Sequence, residues 1–274
     1  IEEMAKVCVS TAVTVMAHTS LGTGPFASFG TEEQKQKYLT KLSTGEIIGA
    51  FGLTEPNAGS DAGNTQTTAV LKGNKFLVNG QKVFCTNAGF AGVIIFTSQI
   101  IEDGINKGIG ALFVDANTVG LKLGPPENKM GWKGSDTRSV YFDQMEIPSS
   151  NILGDTSKGF KQFLKTLTGG RITIAALSLG ICQAAYEASL KYSNERIAFG
   201  KKINNFQSIS FKLSDMATQI EAARHLVYNA AWLKDNGENI IKEAAMAKLY
   251  ASELAMEITT EAIQIHGGFG YIRE

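Results

Sequence analysis

The hydrophobic pattern changes period twice along the chain, and each change marks a boundary in the expected architecture. As far as Ile48 the apolar residues recur at helical spacing: Met4, Val7, Val15 and Met16 mark one face before Pro25 and Gly30 interrupt it. The stretch "TEEQKQKYLTKLSTGE" then carries a capping box, with Thr31 as N-cap and Gln34 reaching back to it. Tyr38, Leu39 and Leu42 form the buried stripe of that helix, and Gly45 ends it.

From Gly49 to Ser157 the period shortens to that of strands. "TTAVLKGNKFLVNGQKVFCTN" holds two turn signals, Gly73-Asn74 and Asn79-Gly80, and an Asn-Gly pair tolerates the positive φ values that a two-residue hairpin requires. Further strand candidates are "GVIIFTSQ", "GIGALFVD", "GLKLG" and "RSVYFDQMEI", separated by loops rich in Gly, Asn and Asp. Short strands with tight turns predict an antiparallel barrel or sandwich of about a hundred residues.

After Gly159 helical spacing returns and persists. "RITIAALSLGICQAAYEASLKYSNER" is apolar or small on nearly every side of its first half, which suits a helix surrounded by helices. "NNFQSISFKLSDMATQIEAARHLVYNAAWLKDNG" reads as a second long helix, stopped by Asn236-Gly237. A third places Ile241, Ala244, Ala251, Leu254, Ile258, Ala262 and Ile265 along one face. Three long helices predict an up-down bundle, whose fourth member is expected beyond Glu274. The expected fold class is therefore α+β multidomain: a partial N-terminal helical domain over 1–48, a middle β-domain over 49–157 and a partial helical bundle over 158–274. No GxGxxG follows a strand and no GxxxxGK[ST] occurs, so nicotinamide and Walker-type phosphate sites lack support.

Composition narrows the partners. Lys plus Arg is 26 and Asp plus Glu is 26, a balance that argues against nucleic acid or an anionic membrane surface as the main partner. The longest apolar runs read as short of a membrane span, so no membrane insertion is expected. Cys8, Cys85 and Cys182 are widely spaced and lack CxxC or His partners, which speaks against a disulfide framework or a metal site. A reducing intracellular compartment is expected, the bacterial cytoplasm ahead of the mitochondrial matrix. Both ends, "IEEMAKVCVS" and "GGFGYIRE", read as cuts within a longer protein, so a targeting peptide cannot be judged.

Four stretches have the composition of a site. "FGLTEPNAGSDAG" combines the hydroxyls of Thr54 and Ser60 with Gly59 and Gly63, a make-up that suits either a backbone cradle for a pyrophosphate or an ordinary surface loop. In "KVFCTNAG", Phe84 and Thr86 fall on one side of a strand, where a ring can stack on a heterocycle while the hydroxyl bonds its edge; a half-buried strand end is the alternative. "GGRI" sets Arg171 behind two glycines at the head of the first bundle helix, as an anion clamp or a solvated side chain. "NERIAFGKKINNFQSI" gathers Arg196, Phe199 and Gln207 around a turn between helices, which also reads as a plain connection with a packed Phe.

Taken in order, "FGTEEQKQKYL", "TEPNAGSD", "KVFCTNAG", "GSDTR", "GGRI", "ERIAFGKKINNFQ" and "QIHGGFGY" resemble the acyl-CoA dehydrogenase family of flavoproteins, from Thr31 onward. "LKDNGENIIKEAAMAKLYASE" resembles most the short-chain, butyryl-CoA-type branch. The resemblance implies FAD as cofactor, lying between a β-domain and a helical bundle, and an acyl-CoA as substrate. It implies flavin contacts from Phe51, Leu53, Thr54, Gly59 and Ser60, and from Phe84, Cys85 and Thr86, with Phe84 where many members carry Trp. Arg196, Phe199, Gln207, Gln264, Ile265, Gly267 and Gly268 match FAD contacts made largely across a subunit interface, which implies a homo-oligomer, dimer or tetramer. Ser60 and Thr168, Gly169, Gly170 and Arg171 match substrate contacts at a helix start. His266 is expected to pack beside the cofactor, and His18 and His225 to be structural.

The implied reaction removes an α-proton from an acyl-CoA and a β-hydride to flavin N5, giving a trans-2-enoyl-CoA and passing electrons to an electron-transferring flavoprotein. In such a site a Glu serves as base, because burial beside an acyl chain raises its pKa. One family branch carries it where this sequence has Gly170; the commoner branch carries it in a loop expected beyond Glu274. Glu55, Glu187, Glu195 and Glu221 read as loop or helix-surface carboxylates, so no catalytic base is expected within these residues. An oxidase-like relative that gives electrons to oxygen, and a non-catalytic acyl-CoA-binding fragment, are the alternatives.

Overall fold

The computed structural model describes residues 1–156 and 158–272. It opens with helices α1 (Glu2–Val7), α2 (Val9–Met16), α3 (Gly24–Phe29), α4 (Glu32–Gln34) and α5 (Thr40–Thr44), interrupted by π-helical turns at Ala17–Thr23 and Lys35–Leu39. Strands β1 (Ile48–Gly52), β2 (Thr68–Lys72), β3 (Lys75–Thr86), β4 (Ala91–Glu102), β5 (Ile105–Asp115), β6 (Leu121–Pro126) and β7 (Thr137–Pro148) come next. Helix α6 (Gly159–Glu195) leads through a ribbon of β8 (Ile197–Ala198) and β9 (Lys201–Lys202) to α7 (Gln207–Asp235), α8 (Ile241–His266) and α9 (Gly268–Tyr271). Helices, then sheet, then helices is the predicted order. The contacts group these elements into two compact units, residues 13–167 and residues 1–12 with 168–274. Ser157, the expected end of the β-domain, lies outside the described residues.

In the unit 13–167, the strand order is β1-β4-β2-β3-β7-β6, with β5 on the other edge of β4. The sheet is mixed where the tight turns predict antiparallel pairing, because β4 runs parallel to both β1 and β2. Residues Val93 to Ser98 of β4 are buried without a break. Ile94 and Phe96 enter one core with Phe142 and Met145, while Val93 and Ile95 enter another with Phe26, Tyr38 and Leu42. A strand covered on both faces loses its alternation, which explains the unbroken run "VIIF".

Gly73-Asn74 makes the predicted hairpin between Lys72 and Lys75. Asn79-Gly80 does not. It sits inside β3 at a register shift against β7, where Gly80 has φ +143 and the Asn79 Oδ1 accepts from the Gln144 backbone N–H at 2.9 Å. A Cβ at Gly80 would lie 2.5 Å from Thr67 Oγ1, so this glycine answers a close approach rather than a turn. The Thr31–Gln34 capping box forms as predicted, and Gly45 ends α5 at φ +75.

In the unit of residues 1–12 and 168–274, α6, α7 and α8 share two clusters: Leu179, Cys182, Leu213, Met216, Ile220, Leu254 and Ile258, and Ile172, Ala175, Val227, Ala230, Ala244, Ala247 and Ala251. The predicted face of α8 is buried except Ile241, which stands exposed in its first turn. Val7 is likewise 88% exposed rather than part of an apolar face. By length and composition α6 reaches what a bilayer crossing needs, contrary to the expectation from apolar runs. Its Ile172, Ala175, Leu179 and Cys182 face the helix cores just named.

The three cysteines are free thiols in contrasting settings. Burial pushes Cys85 and Cys182 up to about 12. Cys8 is exposed, and the hydrogen bond from Thr11 Oγ1 at 3.2 Å lowers its pKa. A thiol reagent at mildly alkaline pH is expected to label Cys8 alone in the native protein, and Cys85 and Cys182 only after denaturation. Labelled-peptide mass spectra with either buried cysteine modified at native-state rates would contradict this.

Candidate functional site

Two clefts collect nine of the fifteen residues expected to contact the cofactor. The first lies in the unit 13–167 and has a volume of about 160 Å³. Phe51 at the end of β1, with Leu53 and Thr54 just beyond it, forms one lip, and Val83, Phe84 and Thr86 of β3 form the other. Ala17, Leu21 and Leu167 complete the wall. The lips are tied where the Val83 N–H donates to the Thr54 carbonyl at 2.8 Å.

Phe84 reaches this cleft by an unusual route. The ladder between β3 and β7 slips between Lys82 and Cys85, and Phe84 takes φ +58. An aromatic residue in the left-handed region is strained by about 1–2 kcal/mol. The ring is also 65% exposed, so packing against the core does not compensate the strain. Simple strand alternation does not apply at this bulge, although Phe84 and Thr86 do line the same cleft. Cys85 turns the other way: it is 1% exposed and belongs to the sheet core, so its side chain does not line the cleft.

The loop after β1 is held by a buried ion pair that its composition did not announce. Lys82 Nζ lies 2.6 Å from Glu55 Oε1, with the two side chains 0% and 3% exposed. Burial pushes Glu55 up, but bonds from Lys82, Thr67 and Gln66 outweigh it and hold the carboxyl below its ordinary value. Burial lowers Lys82, against the pull of Glu55. Glu55 accepts from the backbone N–H of Gln66 at 2.6 Å and of Thr67 at 3.1 Å. Glu55 and Ala58 exchange backbone hydrogen bonds at 3.1 Å. These donors are therefore spent inside the loop instead of forming an anion cradle. Gly59 and Ser60 stand exposed at the loop's outer side.

The second cleft, of about 500 Å³, lies in the unit of residues 1–12 and 168–274. Tyr192, Arg196, Ile203, Ile265, His266, Gly267, Gly268 and Phe269 line it. His266 stacks on Tyr192 with centroids 4.6 Å apart, and its Nδ1 lies 2.8 Å from the Ala262 carbonyl. A carbonyl only accepts, so Nδ1 carries the proton and Nε2 is left for other partners. Phe199 tops the β8–β9 ribbon at φ +50, 96% exposed, with Phe206 edge-on at 6.0 Å. Gln207 and Gln264 are exposed nearby in sequence but line neither cleft.

Thr168, Gly169, Gly170 and Arg171 do not begin a helix. They sit inside α6, which starts at Gly159, and Arg171 is exposed there. A Cβ on Gly169 would meet Lys234 Nζ at 3.5 Å, so a second cation stands at this point of the helix. His18 is structural: its Nδ1 accepts from the Gly49 N–H at 3.0 Å while Nε2 donates to the Leu42 carbonyl at 2.9 Å. His225 is exposed on α7. Sequence reading missed Val83, Leu21, Tyr192 and above all Lys82. An interior Lys in an alternating strand, two residues before an aromatic, was the available signal for the last.

Comparison with known proteins accounts for this arrangement. Three family models cover nearly the whole chain: the N-terminal domain of acyl-CoA dehydrogenase matches residues 1–46, the middle domain residues 50–145 and the C-terminal domain residues 157–274. The probable acyl-CoA dehydrogenase YngJ of Bacillus subtilis is 52% identical over all of this chain and 72% of its own length. Subunit CarC of the caffeyl-CoA reductase–Etf complex of Acetobacterium woodii is 46% identical over the same shares. The structure of butyryl-CoA dehydrogenase from Megasphaera elsdenii superposes with a TM-score of 0.96 at 46% identity, covering 99% of this chain and 71% of that one. With the three domain models in sequence, relatives of this identity and a bulged strand offering an aromatic to a cleft, the chain belongs to the acyl-CoA dehydrogenase family of oxidoreductases.

Proposed function

We propose that the chain serves the FAD-dependent oxidation of a short-chain acyl-CoA to its trans-2-enoyl-CoA, with electrons delivered to an electron-transferring flavoprotein. The observation that carries this reading is Phe84, exposed and strained at the mouth of a cleft that also holds Thr54 and Thr86. Strain of that kind persists where the surroundings enforce it, and a stacked planar ligand gives the ring a use. The likeness to a butyryl-CoA dehydrogenase supports the short acyl chain, and the likeness to a subunit of an Etf complex supports the acceptor.

The residues present fit FAD: an exposed aromatic face, flanking hydroxyls and apolar walls from Phe51, Leu53 and Leu21. When bound, the flavin supplies the acceptor for the β-hydride. The chain's own part is to orient the ring system between the lips, keep water from it with the apolar wall, and offer Thr54 and Thr86 as hydrogen-bonding groups at its edge. Ser60 and Thr168 to Arg171 are proposed to contact the acyl-CoA. Arg196, Ile265, Gly267 and Gly268 at the larger cleft, with the projecting Phe199, are proposed to hold FAD bound by a second copy. Among the described residues no Asp or Glu lines either cleft, so neither described lining supplies the α-proton acceptor.

The direct test is anaerobic titration of the purified protein with butyryl-, octanoyl- and branched acyl-CoAs. A flavin band that shifts on acyl-CoA binding, most with butyryl-CoA, is expected, since bleaching needs the α-proton acceptor that neither described lining supplies; a colourless protein that cannot be reconstituted with FAD would overturn the reading. Phe84→Gly separates binding from folding. Glycine accepts φ +58, so stability should equal or exceed that of the parent, while FAD affinity should fall by roughly fivefold from the lost stacking, about 1 kcal/mol. Unchanged FAD affinity would remove Phe84 from the site.

A further inference from the structure

Among the described residues of the sheet unit Lys82 is the one fully buried Lys or Arg, and the proposed function gives it no part beyond holding the loop after β1. Its three ammonium donors find three acceptors from separate places in the chain: Glu55 Oε1 at 2.6 Å, Thr97 Oγ1 at 2.9 Å and the Leu53 carbonyl at 3.2 Å. Glu55 in turn takes the N–H groups of Gln66 and Thr67, closing the loop that carries Gly59 and Ser60 back onto the sheet. The lysine stem reaches them across Gly52, where a Cβ would come within 3.0 Å of Lys82 Cγ and 3.2 Å of its Cβ. Immediately after Lys82 the strand slips and Phe84 turns out. One ammonium therefore touches the Leu53–Glu55 lip from within while its own backbone begins the Val83–Thr86 lip.

We propose that Lys82 and Glu55 are positioning residues of the cofactor cleft, fixing the Leu53–Thr54 and Phe84–Thr86 lips relative to each other for a planar ligand. The proposal rests on the flavin reading above. A buried ion pair is a poor way to gain stability, since apolar side chains of similar volume fill the same space as well or better. What it adds is direction: charged hydrogen bonds specify where each lip stands, whereas apolar packing tolerates small slips. The Leu53 carbonyl bond links the device to the lip residue itself, not only to the loop beyond it.

The test separates positioning from plain support. Apoprotein is prepared from the parent, from the apolar double variant K82M/E55M and from Thr97→Val, then melted and titrated with FAD by fluorescence. The double variant is expected to melt close to the parent yet bind FAD about 10- to 100-fold more weakly, the loss seen when groups that orient metal ligands are removed, with a displaced flavin absorption band. Thr97→Val should weaken FAD in the same direction by less, with a modest fall in the melt from the buried ammonium donor it leaves unpaired. Parent-like FAD affinity and spectrum in the double variant would overturn the proposal. If the double variant does not fold, Thr97→Val decides alone: weakened FAD upholds positioning, and unchanged FAD rejects it. If the parent apoprotein takes up no FAD at all, the flavin reading falls first and this proposal with it.

Discussion

Lys82→Met lowers the free energy of unfolding by about 3–5 kcal/mol, because it leaves the Glu55 carboxylate buried without its cation. The intact pair contributes far less than this, since its attraction largely offsets the desolvation of two charges. The asymmetry is the point. Removing one partner exposes the whole burial penalty of the other, and Glu55 has its two backbone donors left to meet it. Glu55→Met on the same background should recover most of the loss. A single-variant deficit below about 1 kcal/mol would show that water or a rearranged loop reaches Glu55.

The pH dependence follows from the sign of the shift. Glu55 sits below its ordinary carboxyl value in the folded protein, so its contribution is present above the unfolded value and fades as the pH falls through the folded one. In Lys82→Met the largest bond lowering that pKa is gone and burial now raises it, so protonation relieves the variant. The stability gap between parent and variant should therefore narrow as the pH drops through the ordinary carboxyl range. A gap constant across that range would mean Glu55 does not change protonation with folding. Unfolding curves at a series of pH values measure it directly.

How much of this was legible beforehand depends on which interactions each feature needs. The period changes near residues 48 and 159 report burial within single elements, so helices, sheet and helices came through. The Thr31–Gln34 box and the Gly73-Asn74 turn are local devices and read correctly. Asn79-Gly80 has the same local signature as a hairpin, but β7 pairs across it and converts it to a bulge. Parallel pairing of β4 with β1 and β2 has no local signal at all, because it joins segments across long connections. At the site, Phe51, Leu53, Thr54, Phe84 and Thr86 were named from motif and resemblance and share one cleft. Their support was not foreseen. A lysine inside a strand reads as solvent-facing until the acceptors from Leu53, Glu55 and Thr97 are seen around it. Gly52 illustrates the same limit: in sequence it is one more flexible residue in a loop motif, and in the fold it is the gap through which that lysine passes.

Gly22→Ala should lower stability by about 3 kcal/mol, at the upper end of ordinary overpacking effects. Gly22 lies in the π-helical turn Ala17–Thr23 and faces Gly49 of β1, where a Cβ would sit 2.5 Å from the Gly49 carbonyl carbon. The reverse substitution meets the same wall, with a Cβ on Gly49 lying 2.8 Å from Gly22 Cα. Both neighbours are backbone, so no rotamer change relieves the clash, and the turn must move off the strand. Moving it strains the bonds from His18 to Gly49 and Leu42, which fix the turn at 3.0 and 2.9 Å. It also displaces Leu21, which forms part of the 160 Å³ cleft, so weakened FAD binding should accompany the loss of stability. At about 2–4 °C per kcal/mol for a unit of this size, the melting temperature should fall by roughly 10 °C. Gly24→Ala is the matched control two residues on: its Cβ would meet only the Thr19 carbonyl at an ordinary 3.7 Å, so its loss, confined to the αR conformation that Pro25 disfavours in a preceding alanine, should stay well below that of Gly22→Ala. Equal melting temperatures for the two variants would mean that the helix–strand contact yields more easily than two crossing backbones allow.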